Sequence, residues 1–189
     1  MWLVFFIAAA ILAARFAPLE QTLGGNARLV YFHGAWVWVA LLLFLGAAAA
    51  GAIGLLIRRP TWQAWSRASG QAGLLFWLVF LPMSLVVMQA NWNGLFLDEP
   101  RFRLPLNLAI VGLLLQVGLL FLPLAWTSAA NILYGAVVFA TMWGADSILH
   151  PESPIFSAEA GGIRLYFFGI LLLLSLAGWQ LARLLKKRT

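Results

Sequence analysis

Cysteine is absent from this 189-residue chain, which excludes a disulfide framework, a thiolate metal site and covalent thioether attachment of a haem. Charge is scarce: 10% of residues are Asp, Glu, Lys or Arg, and only six are acidic. Soluble domains carry about a quarter, so too little charge is present to coat a water-facing surface. Histidine occurs twice, at His33 and His150, which caps any imidazole-only site at two ligands. No Gly-x-x-x-x-Gly-Lys-Ser/Thr phosphate loop occurs, so the chain has no recognisable ATPase site. A Ser-His-Asp set and a metalloprotease helix motif are missing as well, and the expectation is a protein that is not an enzyme.

What fills the space is apolar. Hydrophobic residues make up 63% of the chain, and the mean hydropathy is +0.94. A helix needs about 20 apolar residues to cross about 30 Å of hydrocarbon. Six such runs fit, at residues 2–16, 30–57, 70–90, 104–124, 126–148 and 163–185. The predicted fold class is all-α, a polytopic integral membrane protein of six transmembrane helices. One domain takes up residues 1–189, with outer loops near 17–29, 91–103 and 149–162.

Charge sets the orientation. The link after the second run carries Arg58, Arg59 and Arg67, and the tail carries Arg183, Lys186, Lys187 and Arg188. The positive-inside rule makes both cytoplasmic, and with them both termini. Glu20, Asp98, Glu99, Asp146, Glu152 and Glu159 fall on or beside the three outer links, and both histidines land on that side. The net charge of +6 is therefore explained by the lipid bilayer and not by nucleic acid.

The first run is short, and Ala13, Ala14 and Ala17 offer small residues for signal-peptide cleavage. It lacks a basic start, so a retained anchor is expected, with Arg15 reaching the outer interface. Gly46, Ala47, Ala50, Gly51 and Gly54 give the second run a small-residue surface for packing within this chain or against a partner subunit. Pro82 and Pro105 are placed to kink or bound the helices beside the middle outer loop.

Three segments can carry chemistry. The first, residues 28–38, sets His33 among Tyr31, Trp36 and Trp38, a nitrogen ligand beside flat apolar surfaces that suit a porphyrin. An interfacial aromatic belt gives the same pattern. The second places His150 directly before Pro151, where a rigid backbone aims the ring; an exposed loop histidine reads the same way. Asp146, four residues earlier, is placed to orient that ring if a helical turn persists. The third, residues 91–103, combines Trp92, Phe96, Asp98, Glu99, Arg101 and Arg103. Its arginines, with Arg28 or Arg164, suit propionate carboxylates, and local pairing with Asp98 and Glu99 is the alternative. At the cytoplasmic link, Arg58, Arg59, Trp62, Trp65 and Arg67 offer a docking surface or simply mark the interface.

These segments resemble the CcmC family of haem-handling proteins in bacterial cytochrome c maturation. Members carry an arginine, a tyrosine and a histidine before Val-Pro-x-Ala-Trp; Arg28, Tyr31, His33 and Trp38 agree, while Gly34 and Ala35 replace Val-Pro. The family's loop Trp-Gly-x-x-Trp-x-Trp-Asp-x-Arg is matched at Trp92, at the acid Glu99 and at Arg101. Asn93 stands at its glycine, Phe96 at its second tryptophan and Asp98 at its third. Leu149 and His150 match its Leu-His. The resemblance implies a bacterial inner-membrane protein that holds haem b reversibly and noncovalently. His33 and His150 would be the axial metal ligands, with Trp92, Phe96, Trp38, Arg28 and Arg101 around the macrocycle. It also implies transfer of haem to a membrane-anchored haem chaperone, beside an ABC-type ATPase and further membrane subunits. A permease or scaffold subunit that does not retain haem is the alternative. A membrane electron carrier is a third class, for which Met83, Met88 and Met142 are weak ligand candidates that more simply pack.

Overall fold

The computed structural model describes residues 1–144 and 161–188, and among them every regular element is helical. The chain is an all-α polytopic membrane protein. Helices α1 (Trp2–Arg15), α2 (Ala27–Leu56), α3 (Pro60–Trp92), α4 (Pro100–Gly118), α5 (Leu124–Trp143) and α6 (Gly161–Lys186) follow in order, with a 3-10 turn at Leu119–Phe121 extending α4. Five of them are long and apolar enough to cross a membrane. With 14 residues, α1 is about 21 Å long, shorter than the hydrocarbon layer. It packs along α6 and buries Ala10 and Ala14.

Helix α2 is the hub, packed most extensively against α3 and also against α5, α6 and α1. It runs antiparallel to α3. Asn26 Nδ2 donates to the Ala90 carbonyl at 2.7 Å, Trp36 Nε1 to the Phe76 carbonyl at 2.8 Å, and Ser66 Oγ to the Ala47 carbonyl at 2.8 Å. These bonds fix the register from one rim to the other. Between them lie the large buried side chains Trp77, Tyr31, Phe44, Phe167, Ile170 and Leu174. Lipid tails are as apolar as these side chains, so cohesion comes from close packing and interhelical hydrogen bonds more than from the hydrophobic effect.

The small-residue run of α2 is shared between tasks. Gly51 packs inside the bundle, where a Cβ would stand 2.9 Å from both the Ser128 carbonyl and Ser66 Oγ. Gly46 faces outward, and a Cβ there would meet nothing within 4 Å.

Helix α3 begins ten residues earlier than expected. Pro60 occupies its first turn, where a missing N–H costs nothing, and Arg59 ends the link. Residues 60–69, read as part of a basic link, are helical because Ser66 and Arg67 find partners inside the bundle. Arg67 therefore leaves the expected docking surface. Its Nη2 donates to the Leu119 carbonyl at 2.9 Å, the Leu122 carbonyl at 2.6 Å and Thr127 Oγ1 at 3.0 Å. Pro105 lies within α4, and its carbonyl accepts the Trp77 indole N–H at 3.0 Å.

Candidate functional site

The end of the bundle that carries His33 is built from the start of α2, the end of α3, the starts of α4 and α6, and the turn between α1 and α2. That turn is organised by Glu20, whose Oε2 accepts the backbone N–H groups of Thr22 (2.9 Å) and Leu23 (2.7 Å). These two bonds, that to Leu23 first, hold its carboxyl below the usual carboxylate range. Arg28 Nε donates to the Ala17 carbonyl at 2.8 Å. One of its five donors is thus committed to pinning the turn onto α2, a structural role beside any part in binding an anion.

His33 is the seventh residue of α2, about 10 Å below the Asn26 level. It lies within the helix predicted at 30–57, which starts three residues earlier than expected. Its Nδ1 is buried, and its ring packs on Phe80 of α3, with centroids 5.1 Å apart and planes inclined by 35°. Trp36, one turn further on, meets the same helix and stacks on Phe76 at 4.5 Å. Next to His33, a Cβ at Gly34 would stand 3.5 Å from the Phe167 ring of α6. The imidazole is therefore partly exposed and faces α3, while its neighbour Gly34 faces α6. Phe80 was not singled out in the sequence, because it lies in an unbroken apolar run whose register against α2 only the folded hairpin reveals.

Trp38 is not brought to this place. Five residues separate it from His33, which sets the two side chains about 140° apart around the helix, and Trp38 is 42% exposed on the outside of the bundle. This is the position of an interfacial or lipid-facing tryptophan. Tyr31, by contrast, is fully buried, and its hydroxyl has no hydrogen-bond partner among the described residues.

The middle loop is shorter than the expected residues 91–103. Trp92 closes α3, Asn93 adopts the left-handed conformation at φ 52°, and α4 starts at Pro100. Arg101, Phe102 and Arg103 are thus helical; Phe102 is buried, while both arginines are exposed. Phe96 is exposed and folds over Gly94, where a Cβ would lie 3.3 Å from its ring. Trp92 and Phe96 therefore flank one short turn. Arg103 pairs with Asp98 at 3.5 Å, with the Asp98 side chain 99% exposed, so this ion pair adds little stability. Glu99 is the buried member of the acidic pair, at the N-terminus of α4.

His150, together with Leu149, Asp146 and Pro151, lies outside the described residues, so its distance from His33 has no value in this structure. Among the described residues no group of three His, Asp or Glu side chains is arranged to hold a metal ion. A ligand here would rest on imidazole, aromatic surface and arginine.

No family model matches the chain. A stretch of 65 residues is 33% identical to a cytochrome c biosynthesis ccmC-like mitochondrial protein of Marchantia polymorpha. The match covers 34% of this chain and 28% of that relative, so the two share less than a third of the relative's length.

Proposed function

We propose that this protein is a membrane component of cytochrome c maturation that handles haem as cargo, presenting b-type haem at the outer face of the bacterial cytoplasmic membrane. The observation that carries the reading is the setting of His33. A partly exposed imidazole rests on an aromatic ring of α3, about 10 Å along α2 from its start. Imidazole is an established axial ligand for haem iron, and the Phe80 ring gives His33 a flat apolar contact. The likeness to a ccmC-like biosynthesis protein supports the same direction.

In this reading His33 supplies one axial nitrogen and His150 the other. Trp92 and Phe96 offer aromatic surface from the adjoining loop, and the exposed Arg101 offers charge for a propionate. A cargo must be released, and the chain provides no thiol for covalent attachment. Delivery would be to a membrane-anchored haem chaperone, with energy from a separate ABC-type ATPase. The test is haem titration of the purified full-length protein, followed by transfer to apo-chaperone. The expected result is a stoichiometric Soret band that is lost in the His33→Ala, His150→Ala double variant and moves to the chaperone from the parent.

A scaffold subunit that does not retain haem is the second reading. It is favoured by the loop itself, where Asp98 stands fully in solvent at a position that the resembled family fills with tryptophan. Intact assembly with partner subunits and no Soret band after haem addition would select it.

A further inference from the structure

At the basic end of the bundle, opposite His33, a groove of about 340 Å³ runs between α2, α3 and α6. Its floor includes Gly46 and Ala50, its walls include Ser69 and Ser175, and Trp65 and Trp179 stand at its end. These two indoles stack with centroids 4.7 Å apart and planes within 12°. Lys186 Nζ lies 4.6 Å from the Trp65 ring centroid. Arg58 and Arg59 stand exposed in the link just before α3, one turn from the groove-lining Trp62.

We propose that this groove binds one acyl chain of an anionic phospholipid, with the phosphate held at the Lys186 and Arg58–Arg59 mouth. Three observations converge. First, Gly46 is not small for the sake of the bundle, since a Cβ there would meet nothing within 4 Å; its surface is open to an occupant. Second, the groove follows α2 from Val39 to Ala50, about 16 Å of helix, a length that an extended acyl chain fills. Third, the apolar slot opens onto clustered positive charge, the complement of an acidic headgroup at a membrane surface. Stacked tryptophans at that depth mark the boundary between hydrocarbon and headgroups. The site is independent of the haem reading, because it lies at the other end of the molecule.

The test uses the full-length protein in vesicles of equal phosphatidylcholine and phosphatidylglycerol, extracted in mild detergent and examined by native mass spectrometry. The expected result is one retained phosphatidylglycerol in preference to phosphatidylcholine. Gly46→Leu, or Ser175→Leu from the opposite wall, fills the slot and abolishes retention, while Gly46→Ala does not. Lys186→Gln keeps an occupant but lowers the headgroup preference about fivefold, the effect of one basic residue at an anionic surface, and high salt does the same. Equal retention of both lipids by the parent, or parental retention in either leucine variant, overturns the proposal. So does a second copy of the chain seated in the groove instead of lipid.

Discussion

The guanidinium of Arg67 donates to the carbonyl of Leu122 at 2.6 Å, across 55 residues of sequence. The same nitrogen reaches Leu119 and Thr127, so one cation caps the end of α4 and its 3-10 turn and ties them to the start of α5. Helix ends leave carbonyls without intrahelical partners, and Arg67 satisfies two of them here. Beside this cap, Gln116 Nε2 donates to Asn131 Oδ1 at 2.8 Å, and Asn131 Nδ2 to the Ser66 carbonyl at 2.9 Å.

Replacing Arg67 with Met removes a charged donor from three acceptors. Stability should fall by about 2 to 3 kcal/mol, measured as a lower melting temperature in detergent. Arg67→Lys should recover only part of it, because a single ammonium cannot reproduce the planar fork. Parental stability in Arg67→Met would show that the corner is held by packing alone.

Gly112 of α4 touches Tyr134 Oη of α5, which donates to the Leu108 carbonyl at 2.8 Å. A methyl group at position 112 must push that hydroxyl aside. Gly112→Ala should destabilise by about 1 to 3 kcal/mol, and by less in a Tyr134→Phe background, where the hydroxyl is gone although ring carbon Cζ still stands 2.9 Å from the added methyl. Additive losses in the double variant would place the cost of the methyl group elsewhere.

The membrane class and the apolar runs were legible because a helix that crosses the bilayer needs about 20 consecutive apolar residues, a length that the core helices of soluble domains seldom reach. The start of α3 was not. Ser66 and Arg67 look like a solvated link until α4 and α5 supply their partners, and the only local signal was Pro60 at a helix's first turn. Pro100 carried the same signal for α4 and would have shortened the middle loop. The start of α2 lies three residues before the expected one, because Asn26, not an apolar residue, precedes it. The ring partner of His33, Phe80, lies in an apolar run with nothing to set it apart. Trp38 matched a motif by spacing, yet helical geometry turns it away from His33. For His150 the sequence remains the whole argument, since that residue lies outside the described ones.

The turn between α1 and α2 should respond to acid. The folded-state pKa of Glu20 is lowered below its ordinary 4.5 by the N–H groups of Leu23 and Thr22. Its stabilising bonds are therefore present above that ordinary value and are lost as pH falls through the lower folded value. The backbone amide resonance of Leu23 should titrate with a midpoint below 4.5, and Glu20→Gln should abolish the titration. A midpoint at or above the ordinary value would contradict the observed bonds.

Phe80 sets the plane on which the His33 ring rests. Phe80→Leu keeps the position apolar and removes the ring contact, an interaction of about 0.5 to 1.5 kcal/mol. Haem affinity should weaken by about two- to tenfold, read from the Soret titration, with the helical circular dichroism unchanged. Unaltered affinity would remove Phe80 from the site.

The most direct test of the central claim is chemical rescue at His33. In the haem-loaded full-length protein, His33→Gly should lose the six-coordinate bis-imidazole signature in absorption and resonance Raman spectra. Free imidazole in the buffer should restore it. A parental spectrum in His33→Gly without added imidazole would show that His33 does not ligate the iron, and would contradict the account.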